Sequence, residues 1–312
     1  MVQSTVLLNS NIRNHINFPT NQLKSSTKSV KDKVFNLINP QIGKNTQKPI
    51  ISESLRLCKC GRRHLVEAIA GTVLQTCLPS FALEPTSSAK EMLKKIHPPR
   101  SDWYEEFYAS VLNNSMNEYE AEIAGYKSQL FEELRRLQAK QVLEIGIGTG
   151  PNLKYYATHA SMVYGIDPNA KMEKYARKAA ASSGLSPENF KFLQAVGEAL
   201  PLDDASVDAV IGTLVLCSVN DVNRTLQEVK RVLKPGGLYM FVEHVVANDG
   251  TSLRLLQTVL NPLQQLLADG CHLTRETGSY ISQAGFSSVD SSTTYISSFL
   301  FVNPHLYGIA HK

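Results

Sequence analysis

The stretch Val142-Leu-Glu144-Ile-Gly146-Ile-Gly148-Thr149-Gly150 decides how the chain folds. An apolar strand runs into a turn of three alternating glycines, and a helix-like segment, Asn152–Thr158, follows. Glycine adopts backbone angles closed to other residues and lets a ligand approach the main chain. The helix N-terminus offers unpaired N–H groups and a partial positive charge. In an open α/β sheet this is where a ligand binds.

Downstream of this turn, strand-like and helix-like segments alternate. The strands are Gln141–Ile145, Met162–Ile166, Phe190–Ala195, Ser206–Thr213 and Gly237–Glu243. Asn169–Ser182 and Asp221–Leu233 supply the further helices between them. Such alternation predicts a parallel sheet covered on both faces, and right-handed crossovers make it doubly wound. A helix Arg275–Ala284 and two more strands, Ser287–Tyr295 and His305–Ala310, complete the chain. Upstream, Tyr119, Ile123, Tyr126, Leu130, Leu134 and Leu137 recur at helical steps opposite a charged face. Leu233-Lys-Pro-Gly236-Gly237 reads as a turn between a helix and the fifth strand.

The glycine turn discriminates between ligands. A dinucleotide fingerprint needs Gly-x-Gly-x-x-Gly, and here Pro151 or Leu153 stands at the last position, according to frame. Glu144 would repel a pyrophosphate, whereas the amino group and sulfonium of S-adenosylmethionine (SAM) are compatible with it. The second strand ends in Asp167-Pro168-Asn169. An acid at that place accepts from both ribose hydroxyls, although Asp-Pro-Asn alone is also good turn chemistry. Gly197-Glu198 after the third strand resembles the segment that holds the adenine in class I SAM-dependent methyltransferases, which implies a backbone N–H against the ring and Glu198 as acceptor from its amine. Thr213, closing the fourth strand, completes the expected SAM set with Glu144, Gly146, Gly148, Thr149, Gly150, Asp167, Pro168, Asn169, Gly197 and Glu198.

Charge is divided unevenly. Residues 1–100 hold 15 Lys/Arg against 5 Asp/Glu, whereas residues 101–312 hold 17 against 23. The folded part is therefore mildly acidic and carries no basic run, which speaks against nucleic acid as a partner. Residues 1–60 read as a disordered transit peptide and residues 61–100 as an apolar segment and linker before a domain at 101–312; a disordered basic tail is the alternative for the first part. Arg62-Arg63 before the apolar run 65–83 resembles a twin-arginine address, and the same run would suit membrane-surface association. The compartment expected is the chloroplast, stroma or thylakoid, with endomembrane association as the alternative. Five widely spaced cysteines are no disulfide framework, and Cys58-x-Cys60 reads as incidental, with zinc as the remote alternative. No metal is expected.

Together the glycine turn, Asp167, the Gly197-Glu198 segment and Lys234-Pro-Gly-Gly resemble the class I SAM-dependent methyltransferases over residues 130–245. One position departs: Val196 stands where that superfamily usually has Asp. A narrower resemblance, to the methyltransferase-like protein seven group, runs to the C-terminus through Cys217-Ser-Val, Glu243-His244-Val, Asp269-Gly-Cys271-His272-Leu-Thr-Arg275-Glu276 and Pro304-His305-Leu-Tyr307-Gly308. Animal members of that group are thiol S-methyltransferases held at membranes by an N-terminal apolar segment; the transit-like region here suggests a plant-type member. The resemblance implies a Rossmann-like sheet of seven strands, the last antiparallel. It also implies that residues Asp102–Tyr108 and the Tyr119–Leu137 helix cover cofactor and acceptor.

The expected chemistry is methyl transfer from SAM to a small apolar acceptor, with a thiol preferred. C- or O-methylation of a prenylated quinol or phenol, and a non-catalytic SAM-binding scaffold, are the alternatives. His244, after the fifth strand, is the first candidate for base or acceptor-orienting group; a hydrogen-bonded structural histidine is the competing reading. Asp269 and His272 are the second candidates, with a turn as the alternative for Asp269-Gly. Cys217 and Cys271 read as buried apolar residues, since this transfer needs no covalent enzyme intermediate. His305 and Tyr307 line the acceptor pocket or pack as strand residues. Leu253–Leu267 is a lid or a packed helix.

Overall fold

The computed structural model describes residues 87–312. The transit-peptide reading, the Cys58-x-Cys60 pair and the 65–83 apolar run lie outside the described residues. Helices α1 (Ser87–Ile96), α2 (Asp102–Ser115) and α3 (Asn117–Arg136) precede β1 (Gln141–Ile145). Then come α4 (Leu153–Tyr156), β2 (Met162–Asp167), α5 (Glu173–Ser182), β3 (Phe190–Gln194) and β4 (Val207–Thr213). The chain finishes with α6 (Val222–Val232), β5 (Leu233–His244), α7 (Ser252–Leu267), α8 (Thr277–Gln283), β6 (Ser288–Thr294) and β7 (His305–His311).

The seven strands lie in the order β3-β2-β1-β4-β5-β7-β6. β1 to β5 pair in parallel, and β7 runs antiparallel between β5 and β6. The expected sheet, with its last strand antiparallel, is the one observed. The order reverses between β1 and β4, and a crevice opens beyond their carboxyl ends. The main departure is at Lys234-Pro-Gly-Gly, which lies within β5 rather than in a turn before it. Gly236 takes φ +77°, and pairing with β4 slips between Val207 and Ala209. The strand thus absorbs the irregularity.

Periodicity explains the helices. In α6 the buried residues are Val222, Thr225, Leu226, Val229 and Val232, a single stripe. Asp221 caps its start by accepting from Arg224 N–H at 3.0 Å. That stripe packs on Leu143, Ile145, Val210, Tyr239 and Phe241 of the sheet. Helix α3 buries Tyr119, Ile123, Leu130 and Leu134 as expected; Leu137 is instead exposed. Helix α7 turns Gln257 inward and leaves Leu255, Val259, Leu263 and Leu266 exposed. Gln257 accepts from Ala247 N–H and donates to Asn303 O, at 2.8 and 2.7 Å. Amide bonds rather than leucine packing therefore seat this helix.

The expected domain start at residue 101 has structure on both sides of it. Helix α1 precedes it, and His97 and Arg100 reach Asp269 across the crevice.

Candidate active site

A cavity of about 570 Å³ lies at the carboxyl ends of β1, β2, β4 and β5, walled by α2 and α3. Its first end is the glycine turn. Gly146 and Gly148 have φ of +62° and +51°, and a Cβ on Gly146 would meet Val215 Cγ2 at 2.4 Å. Glycine is thus required both by angle and by space.

Asp167 closes β2 beside this turn. Its carboxylate accepts from Gly148 N–H at 3.0 Å and from Asn169 N–H at 2.9 Å. Burial pushes its pKa up to about 7, against the pull of those two bonds. Glu144, on β1, is buried and accepts from Asn152 Nδ2 at 2.7 Å and from the Tyr156 hydroxyl at 2.5 Å. Burial raises it to about 7 as well, with both bonds opposing. One of its partners, Asn152, also donates to Thr213 Oγ1 at 3.1 Å, and Glu144 and Asn152 both line the cavity. The sequence points to Glu144, directly or through water, for the amino group and sulfonium; Asn152, beside it in the lining, carries no such signal in the sequence.

Glu198 differs more from expectation. Its Oε1 accepts from the backbone N–H groups of Asn220 and Asp221, at 2.7 and 3.2 Å. It therefore anchors the chain entering α6, and that oxygen is committed to the protein. Gly197 and Glu198 both line the cavity, as do Thr149, Pro168 and Thr213. Gly150 and Asn169 do not line it. Gly150 N–H bonds Ile147 O within the turn, and Asn169 Nδ2 donates to Glu105 O at 3.0 Å, holding α2.

The far end of the cavity is built from the ends of β4, β5 and β7. His244 closes β5, pairs in register with His305, and sets Nε2 3.0 Å from Cys271 Sγ. Cys217 lies beside them. The two cysteines are buried, as expected, but they face the cavity and each other rather than apolar packing. A hydrogen bond from Cys217 holds the Cys271 thiol down, and the same bond together with burial holds Cys217 up. His305 donates from Nδ1 to Asn303 Oδ1 at 3.2 Å. Its Nε2 is buried without a partner among the described residues, as is the Tyr119 hydroxyl, and both residues line the cavity. Burial lowers His305 to about 3, so the ring is neutral. Tyr307 stands elsewhere, with its ring against Tyr126.

Asp269 is brought to the cavity, but its Oδ1 is 2.7 Å from Arg100 and 3.3 Å from His97 Nε2. Burial works to raise its pKa, yet His97 and Arg100 outweigh it and hold it below the usual carboxylate range. A carboxylate so held is a clasp for the segment between α1 and α2, not a proton acceptor. His272 is not brought to the cavity. It lines an outer cleft with Arg275 and Tyr280, and its backbone N–H bonds Cys217 O at 2.9 Å. No sequence pattern announced His97 or Arg100, because their shared partner Asp269 lies far along the chain, 172 residues from His97.

Comparison with known proteins agrees with this geometry. The methyltransferase domain family model matches residues 143–241. The human thiol S-methyltransferase TMT1A is 41% identical over 201 residues, covering 62% of this chain and 81% of that protein. The rat thiol S-methyltransferase TMT1B is 42% identical over 193 residues, covering 60% and 78%. Among solved structures, the complex of the Haloferax volcanii Trm112 methyltransferase activator with a putative methyltransferase aligns with TM-score 0.51 at 18% identity. That alignment covers 68% of this chain and 99% of the matched one, and it supports the fold. With its cavity at the strand switch point and its relatives matched over about four-fifths of their length, the chain is a SAM-dependent methyltransferase and belongs to the family of the thiol S-methyltransferases TMT1A and TMT1B.

Proposed function

We propose that the protein moves the methyl group of SAM to the sulfur of a small apolar thiol held at the far end of the cavity. The observation that carries this reading is the chemistry of that end: Tyr119, Cys217, His244, Phe299 and His305 surround it, and Asp269, a carboxylate of the same cavity, is held by Arg100 and His97. A thiol needs no strong base, because a few per cent is already thiolate at neutral pH and the thiolate is intrinsically nucleophilic. An alcohol or phenol would need a stronger base. The names of the relatives support the same acceptor class.

In this reading the ribose hydroxyls donate to Asp167. Asn152, held by Glu144, meets the methionine part, and the backbone around Gly197 meets the adenine. His305 Nε2 and His244 orient the acceptor sulfur; the dry pocket and alignment supply most of the rate. The exposed leucines of α7, with Trp103 and Phe107 of α2, support contact with a membrane surface, from which an apolar acceptor would enter. No helix among the described residues is long and apolar enough to cross a membrane. Chloroplast targeting rests on the composition of residues 1–60 alone.

The test is a matched series of acceptors with one alkyl chain and a terminal thiol, alcohol or amine, each incubated with the full-length protein and SAM. Turnover of the thiol, with the alcohol and amine at background, is the expected result. Equal turnover of the alcohol would overturn the thiol reading while leaving the SAM site intact.

A further inference from the structure

We propose that Cys217, His244 and Cys271 form a zinc site at the far end of the cavity, with one coordination position left open to the acceptor. The two sulfurs and a ring nitrogen of His244 all lie within 4.8 Å of one another. Zinc bonds sulfur at about 2.3 Å and imidazole nitrogen at about 2.0–2.1 Å, so a tetrahedral site has edges of about 3.6 Å (N···S) and about 3.8 Å (S···S). The His244 Nε2 to Cys271 Sγ separation is 3.0 Å. Seating the ion therefore asks that edge to widen by about 0.6 Å, a small side-chain movement. Two thiolates and one imidazole with a vacant fourth position is an arrangement used by catalytic zinc sites, whereas structural sites are closed by a fourth protein ligand.

Each ligand comes from a different segment, and their backbones are tied together. Cys217 follows β4 in a loop whose Val215 and Leu216 N–H groups both bond Glu243 Oε1 at 3.0 Å, next to His244. The same loop is gripped from the other side by Arg275, which donates to Leu216 O at 2.6 Å and Val219 O at 2.7 Å. His272 N–H, next to Cys271, bonds Cys217 O at 2.9 Å. Asp269 and Gly270, both at positive φ, turn the chain so that Cys271 points inward. Gln264 Nε2 stands 3.6 Å from Cys271 Sγ, placed to donate to a thiolate. Such fixed surroundings orient ligands before an ion arrives. The charge also balances, two thiolates against one dication.

The role given to the ion rests on the thiol reading above. An acceptor R–SH takes the open position, its S–H bond breaks, and the proton leaves to solvent. The bound sulfur then attacks the SAM methyl. The new S–CH₃ bond forms as the bond from methyl to the sulfonium breaks, and that electron pair stays on the departing sulfur. The products are R–S–CH₃ and S-adenosylhomocysteine, and a neutral thioether is a weaker zinc ligand than the thiolate it replaces.

The experiment loads the reduced full-length protein with zinc, removes loose ion by desalting, and measures metal per chain without any acceptor. One zinc per chain is expected in the native protein and in the Cys58→Ser/Cys60→Ser variant. Loss of that zinc is expected in Cys217→Ser and in Cys271→Ser, with SAM titration as the control for folding. Cobalt in place of zinc should give a thiolate-to-metal charge-transfer band, absent from both of those variants. No retained zinc in the folded native protein would overturn the site. Zinc unaffected by Cys217→Ser and Cys271→Ser would overturn it too, and its loss in Cys58→Ser/Cys60→Ser would place the metal at the other cysteine pair. Because no acceptor is present, failure here is distinct from failure of the thiol reading, which the matched acceptor series detects with or without metal.

Discussion

Replacing Asp167 by asparagine separates the ligand role of this carboxylate from its structural one. The side chain keeps its size and loses its charge. In the account above it accepts from two ribose hydroxyls, and hydrogen bonds to a charged group contribute about 1.5–3 kcal/mol each. Losing both weakens SAM by about 3 kcal/mol or more, which is about a hundredfold or greater. Folding responds differently. The carboxyl has a raised pKa of about 7 in the folded protein against an ordinary value of 3.8. A raised pKa means that the native state loses stability as pH climbs from about 4 to about 7, by on the order of 4 kcal/mol, and is level above that. The Asp167→Asn variant escapes that loss, but its amide can accept from only one of the Gly148 and Asn169 N–H groups and leaves the other unpaired, at about 1–3 kcal/mol. At pH 8 the variant should therefore melt no lower than the native protein, whereas at pH 4 it should melt lower. Calorimetric SAM titration with thermal melts at both pH values checks this. SAM affinity within threefold of native at pH 8 would refute the ribose assignment.

Four further outcomes are expected. Binding SAM should require Asp167 to ionise, so affinity in the native protein should fall about tenfold per pH unit below about 7; a flat profile from pH 5.5 to 8 would contradict this. His244→Ala should lower thiol turnover about a hundredfold or more with SAM affinity changed only a few-fold; normal turnover would remove His244 from the mechanism. Asp269→Asn should free His97 and Arg100 and raise the SAM dissociation rate, measured by stopped-flow; an unchanged rate would mean that the clasp does not bear on the cofactor. Arg275→Met should cost about 1–3 kcal/mol of stability in chemical denaturation, because Leu216 O and Val219 O lose the Nη1 donor they share; no loss would show that those bonds are dispensable.

The fold was legible because its signals are local. Alternating runs fixed β1 to its observed ends and most other strands to within a residue, and the glycine turn placed the cavity at the β1–β4 switch point. At Lys234-Pro-Gly-Gly the strand β5 runs on across the turn residues, which bulge out unpaired between Leu233, opposite Val207, and Leu238, opposite Ala209. The place of site residues in the cavity was legible where one local motif carries them, as at Gly146, Gly148 and Asp167. Roles were not legible where the partner is distant. Nothing local in the sequence shows that Glu198 Oε1 accepts from Asn220 and Asp221 N–H, more than twenty residues on. Nor does the sequence near Asp269 show its partners Arg100 and His97, which come from the other end of the described residues. Cys217, His244 and Cys271 come from three separate segments, so no spacing in the sequence could bring them together. His272, one residue from Cys271, points into a different cleft.

The central claim is that one cavity holds SAM at the glycine turn and a thiol between His244 and His305. A crystal structure of the full-length protein with S-adenosylhomocysteine and the thioether product would test it most directly. The account predicts the ribose on Asp167 and the thioether sulfur at the far end, facing the sulfur of S-adenosylhomocysteine and bordered by Cys217, His244 and His305. A thioether bound elsewhere, or a ribose that does not touch Asp167, would contradict it.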